Sequence, residues 1–182
     1  CSIQAIEDTL RLLDPQVVQD VAARIIRADS VKLFGVGASA LVAADLYDKL
    51  LRIGLNVVHS RDFHIQLTYA ANLTPRDVAV FFSHSGCTRE VVETMRIAQS
   101  CGATLVSVTR FGKHPLVAMA DYALYISCPE VYRRSGAMSS RIAQLTLVDV
   151  LYTAVANMDY HRVKMRLENS YNSCKTHRLS DC

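Results

Sequence analysis

The 182-residue chain lacks the marks of several large functional classes. No Gly-Lys-Ser or Gly-Lys-Thr occurs, which excludes the phosphate loop of P-loop nucleotide hydrolases. The dinucleotide fingerprint Gly-x-Gly-x-x-Gly also fails, because Gly35 and Gly37 are followed by Ala40 at the third glycine position. Six cysteines, Cys1, Cys87, Cys101, Cys128, Cys174 and Cys182, form no Cys-x-x-Cys pair and no Cys/His spacing suited to zinc. No metal and no cofactor is therefore expected, and reduced thiols are, since a domain of this size builds a core without disulfides. No apolar run is long enough to span a bilayer, and no charged-then-apolar leader is seen, so a cytoplasmic location without membrane contact is expected. A large excess of charge of one sign is lacking too. The net charge is +3, the basic residues are spread out, and no pair of short helices with a turn glycine suits a major groove, so this segment is not expected to touch nucleic acid itself. Arg162, Lys164, Arg166, Lys175 and Arg178 make the tail basic and read as a solvated helix face.

What is present suits one compact unit, with 51% hydrophobic and 20% charged residues. Short apolar runs near 31–35, 55–58, 77–82, 103–108 and 122–126 read as strands, separated by helical patterns near 39–53, 62–72, 88–100 and 114–119. That alternation predicts an α/β fold, a doubly wound five-stranded parallel sheet flanked by helices in a flavodoxin- or Rossmann-like three-layer sandwich. Two helices precede it, the first with Ile3, Ile6, Leu10 and Leu13 on one face and the second opened by Asp14 as cap and Pro15. The stretch 141–158 is apolar on nearly every side and predicts a helix that is buried or forms a subunit contact. A last helix over about 160–177 places Val163, Leu167, Tyr171 and Cys174 on one face. The longest irregular stretch, 127–139, contains Arg133 and Arg134, which read as a solvated pair or as anion partners.

The most informative stretch is Val80-Phe-Phe-Ser-His-Ser-Gly-Cys-Thr-Arg-Glu90, an apolar strand that ends in closely spaced hydroxyls and a glycine and then becomes helical. Backbone N–H groups at a helix start have no intrahelical partner, and the helix dipole favours an anion there. Ser83, Ser85 and Thr88 add hydroxyls, and Gly86 lets an oxyanion approach the backbone. The plainer alternative is that Ser85 or Thr88 merely caps the helix. A second strand-turn-helix leads from Phe34 through Gly35-Val-Gly-Ala-Ser39, and a doubly wound sheet would bring both turns to one crevice. Cys87 at the helix start reads as a small filler or as a reactive thiol.

Gly35-x-Gly-x-Ser39 followed by Ser83-x-Ser-Gly-x-Thr88 resembles the paired signature of the sugar isomerase, or SIS, domain, a phosphosugar-binding family of enzymes and regulators, over roughly residues 30–160. The resemblance implies that Ser83, Ser85 and Thr88 hold a phosphate with backbone help from His84 and Gly86. It further implies that Ser39, beside Gly37, contacts the sugar or its phosphate, and that Ser139, Ser140 and Arg141 form a third site feature. The run from Gly35 to Gly54, with Ser85-Gly-x-Thr-x-Glu90, is most similar to the effector-binding half of RpiR-type transcriptional regulators. On that likeness 1–29 are leading helices linking to an absent helix-turn-helix domain, 30–160 the SIS domain and 161–182 a C-terminal helix. A start at Cys1 rather than methionine agrees with a piece of a longer polypeptide. The expected partners are a phosphosugar effector and further copies of the chain, a homodimer or a higher homo-oligomer, with DNA reached only through the absent domain. The alternative is an aldose-ketose phosphate isomerase, which needs a general base. Glu90 and His64 are the candidates, against plainer roles as a dipole-complementing carboxylate and as a sugar-hydroxyl or interface contact. Asp45 and Asp48, on the helix after the first glycine turn, read as surface charge.

Overall fold

The structure, a computed structural model, describes residues 2–127 and 138–175. Expectations for Cys1, Cys128, Arg133, Arg134, Arg178 and Cys182 fall outside the described residues. Five strands, β1 (Val31–Gly35), β2 (Val57–His59), β3 (Val78–Phe82), β4 (Thr104–Arg110) and β5 (Tyr122–Ile126), form one parallel sheet in the order β2-β1-β3-β4-β5. Helices α3 (Ala38–Arg52), α4 (Phe63–Ala71), α5 (Arg89–Gln99) and α6 (Pro115–Met119) make the crossovers. They follow α1 (Ser2–Leu12) and α2 (Pro15–Arg27) and precede α7 (Met138–Met158) and α8 (Tyr160–Lys175). The doubly wound α/β sandwich expected from the alternation is therefore the fold.

Burial on both faces explains why the strands read as unbroken apolar runs. Successive side chains alternate across the sheet, so Val78, Val80 and Phe82 of β3 enter a core shared with α2, α3 and α7, while Ala79 and Phe81 enter a second core with α4, α5 and α6. In that second layer Phe34 and Phe81 stack with centroids 4.6 Å apart. On α5 the buried Val91, Val92, Met95 and Ala98 recur at the spacing of one helical face, which is why the helix lies down on the sheet there. Asp14 caps α2, its carboxylate accepting from Gln16 N at 2.8 Å, with Pro15 in the first turn as its fixed φ allows.

The elements come in the expected order, but α7 starts at Met138, inside the stretch expected to be irregular, and takes Ser139 and Ser140 into its first turn. Strand β2 is Val57–His59 rather than 55–58, and the expectations of face hold unevenly. The all-round apolar α7 is occupied within the chain, packing against α1, α2, α3 and β5. On α1 the fully buried residues are Ala5 and Thr9, while of the expected apolar face Ile6 and Leu13 are half-buried, Leu13 against the core, and Ile3 and Leu10 are exposed. The reason is polar. Thr9 is 0% exposed, donates to Ser127 O at 3.3 Å and accepts from Ser127 N at 3.0 Å, and this reciprocal pair just beyond β5 turns the small side of the helix inward. On α8 Val163 alone of the expected face is buried, and Leu167 and Tyr171 are exposed.

Two buried polar features escaped the sequence analysis. Lys32 of β1 donates to Asn72 O at 2.6 Å and pairs with Asp77 at 3.7 Å, and Asp77 also accepts from Thr74 N and Oγ1. Gln66 of α4, 1% exposed, accepts from Gly35 N at 3.2 Å and donates to Gly35 O and Ser60 O at 2.9 Å. Because β2 ends opposite Leu33, the Gln66 amide supplies the ladder partners that Gly35 would otherwise lack.

Candidate functional site

Strand order reverses between β1 and β3, and the register pairs Gly35 with Phe82, so the two strands end level at that switch point. In open sheets of this kind ligands bind in the crevice beyond such carboxyl ends. A cavity of about 200 Å³ lies there, lined by Val36, Gly37, Ala38, Ser39, His84, Ser85, Thr88, Ser140, Arg141 and Gln144. The glycine turn, the hydroxyl turn and the start of α7 thus share one space.

The hydroxyl turn is tied together before any ligand arrives. Ser83, 2% exposed, does not line the cavity; its Oγ accepts from Gly86 N at 3.2 Å and shares a 2.9 Å hydrogen bond with Thr88 Oγ1. Ser85 Oγ accepts from Cys87 N at 3.2 Å. Thr88 occupies the cap position of α5 but makes no side-chain capping bond, so the capping alternative is not the arrangement found. The His84 carbonyl is fixed from β4, accepting from Arg110 N at 3.1 Å and Thr109 Oγ1 at 3.2 Å. Gly86 has φ +67°, and a Cβ there would lie 2.5 Å from His114 Cδ2 and 2.9 Å from Thr109 Oγ1. Only glycine fits the backbone and the space together. At Gly37, φ +57°, a Cβ would meet nothing within 4 Å, so there the requirement is conformational alone.

Of the residues singled out by sequence, Gly37, Ser39, His84, Ser85, Thr88, Ser140 and Arg141 line the cavity. Ser83 and Gly86 support its wall from behind, with the Gly86 N–H already engaged inside the turn. Ser139 is not in the lining, and neither are the candidate bases, the exposed Glu90 and His64. Asp45 forms an ion pair with Lys49, which also reaches Asp149 of α7 at 2.7 Å and so clamps α3 to α7. Burial alone lowers the Lys49 pKa, but its hydrogen bonds to Asp149 and Asp45 outweigh this and hold the ammonium above its ordinary value. Gln144 was missed. Its spacing from Ser140 and Arg141, four and three residues along a helix, was the available signal.

A larger open groove of about 550 Å³ lies near the amino ends of the strands, lined in part by Arg24, Arg27, Asp29 and Arg76. Arg76 is paired with Asp29 at 2.6 Å, and neither sequence turn reaches this groove. The switch-point cavity is the stronger candidate because two strand ends and three helix starts meet at it, with Arg141 in its lining. Among the described residues Cys87, Cys101 and Cys174 are free thiols, and no helix is long and apolar enough to cross a membrane.

Comparison with known proteins bears on the family and the fold. A family model described as the SIS domain matches residues 24–154. An uncharacterized HTH-type transcriptional regulator of Caldanaerobacter subterraneus is 41% identical over 167 residues, covering 92% of this chain and 59% of that protein. The chain therefore spans about three fifths of that relative's length. Among solved structures, Vibrio vulnificus NanR complexed with ManNAc-6P superposes with a TM-score of 0.92 at 26% identity, covering 98% of this chain and 67% of that one. The sugar isomerase domain of an RpiR transcription factor from Sphaerobacter thermophilus has a TM-score of 0.82 at 23% identity, covering 94% of each chain, and shares the fold. A putative sugar-phosphate isomerase from Listeria monocytogenes shares it at 18% identity, with a TM-score of 0.75 and coverage of 86% of this chain and 84% of that one.

Proposed function

The chain belongs to the SIS domain family, and we propose that it is the effector-sensing part of an RpiR-type transcriptional regulator that binds a phosphorylated sugar or sugar acid. The observation that carries this reading is the shared cavity of Ser39, Ser85, Thr88, Ser140 and Arg141 at the uncapped start of α5. Ser85 Oγ already accepts a backbone N–H, so its own proton is available to a ligand oxygen. If Ser83 donates to Thr88, the Thr88 proton is likewise free for the cavity. A phosphate dianion would then meet hydroxyl donors, the positive end of α5 and, from the other side, the Arg141 guanidinium.

Sensing rather than catalysis is favoured by the lining. No Asp or Glu of the described residues faces this cavity, and Glu90 and His64 stand outside it. The relative at 41% identity is named as a regulator, whereas the isomerase-named structure stands at 18%. His84 does line the cavity, so solvent exchange at the carbon next to the carbonyl, with phosphosugars in deuterated water, is the result that would turn the reading to an isomerase.

Signal output would pass through α7. Its first turns form one wall of the cavity, and its length packs against α1 and α2, which would lead to a DNA-binding domain placed before residue 1. A ligand shifts such a system only by binding two arrangements unequally, and a cytoplasmic homodimer would supply them. The deciding experiment measures operator binding by the full-length regulator with and without a phosphosugar panel. An affinity for DNA that no phosphosugar changes, together with no thermal shift of this domain, would sink the proposal.

A further inference from the structure

Gln144 differs from the other fully buried glutamine of the chain. Gln66 has its amide satisfied on both sides, by Gly35 and Ser60. Gln144 is 2% exposed, lines the switch-point cavity, and its Nε2 has no hydrogen-bond partner. An N–H removed from water and left unpaired costs free energy that a well-placed acceptor recovers. The terminal torsion of a glutamine is broad, so the amide can turn toward an occupant without leaving a preferred rotamer. One turn earlier on the same helix face stand Ser140 and Arg141.

We propose that Gln144 is a specificity-determining residue of this cavity, donating its amide N–H to a carbonyl or carboxylate oxygen on the sugar portion of the ligand. The inference rests on the phosphosugar reading above and narrows it. Besides the neutral hydroxyls and His84, the described lining offers Arg141 and this amide but no carboxylate, so among the described residues an ammonium group there has no counter-charge. The cavity accordingly prefers N-acylated amino sugar phosphates or sugar acid phosphates over phosphates of free amino sugars. The shared chemistry is an sp² oxygen acceptor, and its two sources are separable by titration.

The test is calorimetric titration of the chain with N-acetylhexosamine phosphate, hexosamine phosphate, hexose phosphate and the aldonic acid phosphate, each phosphorylated on its terminal carbon, in gluco and manno forms. The wild type is expected to bind the acyl or the acid form at least about tenfold more tightly than the free amine. Gln144→Leu closes that gap by weakening the acyl and acid forms, and an unchanged far-ultraviolet circular dichroism spectrum shows that the variant is folded. Gln144→Glu reverses the order toward the free amine. A gap that survives in Gln144→Leu, or a loss equal for every ligand, overturns the role of Gln144 while leaving phosphosugar binding intact. Failure of the wild type to bind any of the panel overturns both readings.

Discussion

Gly86 is where conformation, packing and site meet in one residue. Its positive φ and the 2.5 Å approach of His114 to a would-be Cβ mean that Gly86→Ala must shift the turn that holds Ser83, Ser85 and Thr88. A loss of more than about 1 kcal/mol in chemical denaturation, with weakened phosphosugar binding, is expected. Asp77 makes a different demand. With its carboxylate gone, Lys32 remains buried without its counter-charge, so Asp77→Ala should cost about 3–5 kcal/mol, and a cost under about 1 kcal/mol would show the pair to be incidental. These residues divide by what sequence could reveal about them. Gly86 was legible because it interrupts a hydroxyl cluster between strand and helix. Lys32 and Asp77 were not, because they stand 45 positions apart and meet only when β1 and β3 pair.

Helices α3 and α7 are joined by a charge clamp whose pH dependence follows from its sign. Lys49 has a raised pKa in the folded chain, so its contribution is complete below the ordinary lysine value near pH 10.4 and is lost as pH climbs through the raised folded value. Wild type and Lys49→Met should therefore differ by a constant amount, no more than about 1 kcal/mol for so exposed a partner as Asp149, from neutral pH up to about pH 10. Urea midpoints of the two proteins should converge above that range, and a difference that instead vanished on acidifying from pH 7 to pH 5 would assign the clamp to another group. The first helix invites a separate test. Thr9→Val deletes both hydrogen bonds to Ser127, so amide exchange along α1 should quicken relative to α2. Unchanged α1 protection would mean that apolar packing, of Ala5 above all, holds the helix in place. Periodicity located every one of these helices, but it misjudged the inward face of α1, since a reciprocal threonine hydrogen bond outweighed the apolar stripe.

Taken as one body, the chain has a sheet covered on both faces and an α8 on whose one side Leu167 and Tyr171 remain exposed. If that face joins the two copies of the proposed homodimer, the paired change Leu167→Glu and Tyr171→Glu, four residues apart on one side of the helix, should convert a dimer to a monomer in sedimentation velocity without lowering the unfolding temperature of the monomer. A wild type that sediments as a monomer at all concentrations would remove the dimer from the proposal. Ligand should act on the entire cooperative unit, with a hundredfold excess over its dissociation constant adding about 2.7 kcal/mol to stability.

Local chemistry, readable along the chain, already specified the strands, the helices, the two glycine turns and the hydroxyls that follow them. Apolar period, caps and positive-φ glycines act through neighbours a few residues away, and so they are written in order. What waited for the folded chain was every relation between distant segments: the strand order that brings Ser39 to Ser85, the Gln66 amide that completes β1, and the unpaired Gln144 beside Arg141. Those relations depend on which parallel neighbour each strand takes. Hydrogen bonding between backbones is the same for any pair of strands, so the choice is made by packing of the whole molecule and not by any one stretch of it.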